Sequence, residues 1–230
     1  MIKKIRQDLR KVSEPDRIPA LQNFFKTGPG QYGEGDIFIG VRVPNTRKVA
    51  TKWKDAPLEV VDKLLDSEIH EERLLACLIL VQKYQKSENK EEIYNFYWKN
   101  AKRVNNWDLV DLTAHKIVGD YMLETGDTSK LYELVQSENL WERRISVIST
   151  FAFIMEGKFD DSLKLAELLL KDEHDLIHKA VGWMLREVGK RNLKVEEKFL
   201  DKHYRNMPRT MLRYAIERFS DERKKHYMKK

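Results

Sequence analysis

"NWDLVDLTAH", residues 106–115, starts polar and turns apolar, and four other stretches of this 230-residue chain do the same. They are "EERLLACLIL" (71–80), "WERRISVIST" (141–150), "IHKAVGWMLR" (177–186) and "PRTMLRYAIE" (208–217). Their turning points fall near Arg73, Leu109, Arg144, Lys179 and Met211, about 35 residues apart. Shorter amphipathic segments lie between them, among them "SKLYELVQS" (129–137) and "DSLKLAELLLK" (161–171). One helical hairpin per repeat predicts an all-α fold, an α-solenoid of HEAT-like repeats. No hairpin buries its apolar face alone, so the stack shares one core, in a single domain over residues 1–230. Its curved inner face would form a concave basic groove. The competing fold is an irregular all-α globule.

Apolar spacing predicts helices at 2–12, 15–26, 44–54, 57–66, 69–85, 89–102, 107–123, 128–136, 140–156, 160–171, 175–190, 194–205 and 208–219. Strand-like alternation is confined to "DIFIGVRV" (36–43), which follows the glycine-rich "TGPGQYGEGD" (27–36) and leads to Pro44 at a helix start. Charged residues make up 35% of the chain and the net charge is +6, so every helix carries a wet face and polyanions are favoured partners. The single cysteine, Cys77, sits in an apolar run and reads as a small buried residue of a reducing compartment. With no span-length apolar run and no signal-peptide core at the start, the expectation is a soluble cytoplasmic protein that engages no membrane.

Several residues do not fit a core. From Trp107, the positions four, seven and eleven residues on are Asp111, Ala114 and Val118, one stripe of a helix. Ala114 and Val118 suit a core, but Asp111 does not, because an unpaired buried carboxylate is costly. It reads as a local salt bridge, a cap or a site. Asp108 stands nearer the helix start, where a carboxylate supports the unsatisfied amides. Arg144 holds the equivalent place in the next repeat, heading Ile148, Phe151 and Met155, and could pair with Asp111. Trp183 shares a helix face with Lys179, Arg186 and Lys190, with Glu187 the only acid. It projects from a basic surface or caps the stack.

Residues 202–230 hold ten lysines and arginines against three acids. The end of that run, 220–230, is either a solvated basic tail or an extension of a phosphate-binding rim. His174 and His178 have metal-ligand spacing but no third ligand in register. "GPGQYGEG" (28–35) lacks the Lys-Ser/Thr of a phosphate loop.

"NNWDLVDLTAHKIVGDY" (105–121), "LWERRISVISTFAFI" (140–154) and "IHKAVGWMLREVGK" (177–190) together resemble the AlkD-like family of DNA alkylation repair glycosylases, built of HEAT-like repeats. "YGEGDIFIGVRVPNTRKVA" (32–50) is similar to that family's N-terminal signature. The resemblance implies hydrolysis of the N-glycosidic bond of alkylated purines in duplex DNA. It carries catalytic roles to Trp107, Asp111 and Trp183, a DNA-backbone contact to Arg144, and places Tyr32 and Arg42 near the DNA. Lys179, Arg186 and Lys190 are the further expected DNA-binding cations. N3- and N7-alkylpurines are already cationic leaving groups, so an ionised Asp111 near an oxocarbenium-like sugar would suffice, with no metal or organic cofactor and no obligate protein partner. The expected species is a monomer. The alternative is a non-catalytic HEAT-repeat scaffold that binds DNA or protein.

Overall fold

Ile5 and Leu9, one turn apart, are the buried positions of the first helix, α1 (Ile2–Arg10). The computed structural model describes residues 1–229, and the chain divides into two compact units, Met1–Thr113 and Ala114–Lys230.

In the first unit a 3₁₀ turn, Pro15–Arg17, leads into α2 (Ile18–Phe25), which Lys26 ends in the left-handed region at φ 55°. The loop that follows contains no strand. It is held by isolated bridges, Ser13 to Val41 and Ile37 to Ile69, so the expected extended segment exists only as these pairings. Next come α3 (Val43–Lys52), α4 (Leu58–Leu65), α5 (His70–Lys86), α6 (Lys90–Asn100) and α7 (Trp107–Thr113). Helix α5 is the axis of this unit and packs on α3, α4, α6 and α7. Every residue from His70 to Val81 is buried, Cys77 among them. Its polar first turn is therefore inside the protein. Glu71 explains part of this: its carboxylate accepts the backbone N–H groups of Ile39, Gly40 and Val41 at 2.8–3.1 Å and ties the loop to the helix.

The second unit opens with a π-helical turn, Ala114–Gly119, then α8 (Asp120–Thr125), α9 (Ser129–Leu134), α10 (Leu140–Ser149) and α11 (Phe151–Met155). Beyond lie α12 (Asp160–Leu168), α13 (Asp175–Arg191), α14 (Leu193–His203), α15 (Arg209–Ala215) and α16 (Asp221–Met228). The expected helix over 107–123 is thus two α-helical pieces, α7 and α8, with a widened turn between them. The helix expected over 140–156 breaks at Thr150, where Ser149 and Thr150 hydroxyls donate to the carbonyls of Ile145 and Val147 at 2.7 Å each. Shorter helices pair with longer ones, α9 with α10 and α12 with α13, and α13 stacks in turn on α10 and α15. This is the repeat read from the sequence, in an all-α fold of stacked hairpins. Two glycines set how closely the stack packs. A Cβ at Gly119 would run into the carbonyl of Ser149, and one at Gly182 into Met211 and Tyr214.

The C-terminal segment corrects the tail reading. Residues 221–228 are helical because Tyr227, 4% exposed, packs edge-on to Phe219 and Tyr204 and donates its hydroxyl to Asp201 at 2.8 Å. Arg223 pairs with Glu197 at 3.0 Å, and Ser220 caps the helix. Lys230, the last cation of that run, lies outside the described residues. No helix of the described residues is long and apolar enough to cross a membrane.

Candidate nucleic-acid interface

In the first unit, Trp107 and Asp111 stand one turn apart on α7, both half-buried, while Leu109 and Val110 between them are fully buried. The helix start is locally determined. Asn106 accepts the N–H of Trp107 at 2.8 Å, and Asp108 accepts that of Leu109 at 2.9 Å. The Trp107 ring lies flat on Phe25 (centroids 5.3 Å apart, planes at 11°) and meets the edge of Phe24 at 5.7 Å. Phe24 itself is 61% exposed.

Beneath this aromatic layer is a buried charge cluster. The His70 ring nitrogens face two carboxylates, Nδ1 to Asp36 at 3.1 Å and Nε2 to Asp108 at 2.9 Å. Arg73 and Asn106 also donate to Asp36, the amide at 2.9 Å. Burial alone would lower the basicity of His70. The charge of Asp108 and the hydrogen bonds to both carboxylates outweigh it and raise its pKa to about 9. Burial works to raise the Asp36 carboxyl, but its contacts with His70, Arg73 and Asn106 win and hold it below the usual range. Phe25 and Phe38 pack on the His70 ring, each with centroids 4.7 Å away. Asp108 thus does more than support a helix start, the only job its sequence position suggested.

Tyr32, half-buried in the glycine-rich loop, donates its hydroxyl to the carbonyl of Phe24 at 3.3 Å. Arg42 is exposed and paired with Glu14 at 2.8 Å.

In the second unit, Trp183 is half-buried on α13. Its ring is tilted 42° to Phe151 at 5.8 Å, and its indole N–H donates to Glu187 at 3.2 Å. Phe151 is flanked in turn by the edge of His115 at 5.3 Å and the guanidinium of Arg191 at 5.7 Å. Glu187, 6% exposed, also accepts from Lys190 at 2.6 Å and Arg191 at 3.1 Å. Burial works to raise its carboxyl, but Lys190, Arg191 and Trp183 hold it below the usual range. The sequence left this face as either a basic surface or a cap on the stack. In fact its one acid is the buried hub and Arg186 is largely buried against Glu217. Lys179 pairs with Asp175 at 2.7 Å, and exposed ion pairs such as this are worth about 0–1 kcal/mol, so a phosphate can displace them cheaply.

Arg144, expected at the DNA backbone, lies largely inside the protein. It is 4% exposed and gives one guanidinium nitrogen to the carbonyl of Leu176, joining α10 to the start of α13. That burial leaves little of it for a phosphate. The histidine pair is likewise engaged locally: His174 Nδ1 accepts the N–H of Leu176 at 3.1 Å, and His178 contacts the carbonyl of Asp172. Among the described residues no group of three or more His, Cys, Asp or Glu is placed to hold a metal ion.

The solved structures to which this chain is similar include these two. One, described as a predicted DNA alkylation repair enzyme from Enterococcus faecalis, has 18% identity and a TM-score of 0.72, over 91% of this chain and 97% of that one. The other, AlkD2 from Streptococcus mutans, has 15% identity and a TM-score of 0.56, over 90% of this chain and 98% of that one. These likenesses concern the fold. No curated protein sequence matches significantly. The model of the family described as "DNA alkylation repair enzyme" matches residues 5–219, nearly the whole sequence, and the chain therefore belongs to the DNA alkylation repair enzyme family.

Proposed function

We propose that this member of the family is a monofunctional DNA glycosylase that releases N3- and N7-alkylpurines from duplex DNA. Such a base already carries a positive charge. When the C1′–N bond breaks, its electron pair neutralises the purine, which leaves without an added proton, and the charge passes to the sugar. Ionised Asp111 stabilises that oxocarbenium-like sugar and orients the water that attacks C1′, while the water's extra proton leaves to the carboxylate or to solvent. Trp107 presents its electron-rich face to the cation, and Trp183 is assigned the same role. Each such contact is worth about 0.5–2 kcal/mol where water is excluded. Lys179, Lys190, Arg42 and the accessible part of Arg186 exchange their carboxylates for phosphates, and Tyr32 lies close to the backbone.

The observation that supports this reading most is Asp111 itself, half-buried one turn after an indole that is already stacked and held. The test is Asp111→Asn. It is expected to slow release of methylated purines by about 10²–10³-fold while leaving duplex affinity and its steep salt dependence in place. Full retained activity overturns the assignment. If the unaltered chain binds duplex but releases no base, the protein is a DNA-binding scaffold instead.

A further inference from the structure

The buried cluster beneath Trp107 has a property that packing alone does not require. Two carboxylates grip one imidazole, one on each ring nitrogen, at 3.1 and 2.9 Å. A neutral imidazole has one N–H and one lone pair, so it satisfies one carboxylate and repels the other. Only the doubly protonated ring fits both. The charges in the cluster then balance, with Asp36 and Asp108 against His70 and Arg73. Phe25 and Phe38, both uncharged, pack on the ring, and Asn106 donates to Asp36. The two carboxylates come from different parts of the chain. Asp36 lies in the loop before α3. Asp108 lies in the first turn of α7, between Trp107 and Asp111.

We propose that His70 is a positioning residue: as an imidazolium clamped between Asp36 and Asp108, it fixes the first turn of α7 and so the placement of Trp107 and Asp111. Two independent fastenings reach that turn from the cluster, Asp108 directly and Asn106 through Asp36. Phe25 adds a third, since it packs on the His70 ring and on Trp107 alike. The raised basicity of His70 is in keeping with this geometry. Loss of its proton in mildly alkaline solution turns one grip repulsive and loosens α7. The inference rests on the glycosylase reading only where it concerns catalysis.

The experiment has two arms. In the first, the imidazole resonances of His70 and the indole N–H resonance of Trp107, identified with Trp107→Phe, are followed by NMR in the whole chain from pH 6 to pH 10. The Trp107 resonance is expected to move with the same midpoint as His70, near 9. A His70 midpoint at or below its ordinary value, or a Trp107 signal indifferent to it, overturns the proposal. In the second arm, His70→Gln is compared with the unaltered chain in single-turnover release of methylated purine. An about tenfold or greater loss of rate is expected with duplex affinity within about twofold, and the variant's rate should lose the alkaline fall. Wild-type rate and pH profile in a folded variant overturn the catalytic half of the proposal. If the variant does not fold, the first arm decides. If the unaltered chain releases no base but Trp107 titrates with His70, the glycosylase reading fails while the clamp stands.

Discussion

The indole of Trp107 lies flat on Phe25 above a buried imidazolium, whereas that of Trp183 tilts against Phe151 and gives its N–H to a carboxylate. The two units thus hold their tryptophans by different physics. In the first, four charged groups lie together within a unit whose central helix is buried from His70 to Val81, and the tryptophan rides on that block. In the second, one buried acid, Glu187, is paired with cations that reach solvent: the side chains of Lys190 and Arg191 are 41% and 25% exposed. A buried network is expensive to damage and slow to adapt, while a rim network is cheap to break and open to exchange with phosphate. One tryptophan is therefore set by the fold, and the other is adjustable by whatever binds.

The strongest way to break this contrast is Asp36→Ala. It strands His70 and Arg73 without their shared partner, and a loss of about 3–5 kcal/mol is expected in urea unfolding, with amide protection lost first in α5 and α7. A loss below about 1 kcal/mol would show that the cluster is not holding the unit together. Next in size is the alkaline response. The folded pKa of His70, about 9, exceeds the unfolded value near 6.5. Its stabilisation is therefore complete below about pH 6.5 and lost as pH rises through about 9, a span worth about 3 kcal/mol relative to His70→Gln. The Trp183 mount responds at the opposite end of the scale. The carboxyl of Glu187 is depressed, so its contribution is present above the unfolded value of about 4.5 and fades as acid protonates it. Glu187→Gln should cost about 1 kcal/mol near neutrality and nothing in strong acid, seen as a shift in the urea midpoint of the second unit. Smallest is Phe151→Leu, expected to remove about 1 kcal/mol of ring contacts and to red-shift Trp183 emission, with the Trp107 resonance unmoved.

Much of the architecture was legible because it is local. The polar-to-apolar switch recurring from Arg73 to Met211 marks the long helices, and the spacing from Trp107 to Asp111 places both on one side of α7. What was hidden is what depends on partners far along the chain. Asp36 and His70 are 34 residues apart, and Asp36 and Asn106 are 70 apart. "HEER" (70–73), a fully polar turn ahead of a wholly apolar run, was the one local signal that those charges find one another inside. The π turn at Ala114–Gly119 escaped because a fixed 100° step was applied across it. Helix α16 escaped because all of its side chains but Tyr227 and Met228 are polar, and a single buried tyrosine anchors it. Burial of Arg144 is likewise set by a partner on another helix, the carbonyl of Leu176.

Gly182 has a consequence for evolution as well as for packing. It is the residue immediately before Trp183, and its missing side chain lets α13 lie directly against the Met211 carbonyl and the Tyr214 Cβ of α15. Any substitution at 182 would act as a shim under α13, pushing the helix off its neighbour and carrying the adjoining indole with it. A lineage could re-aim that indole from this one backbone position, without replacing any residue that touches the tryptophan.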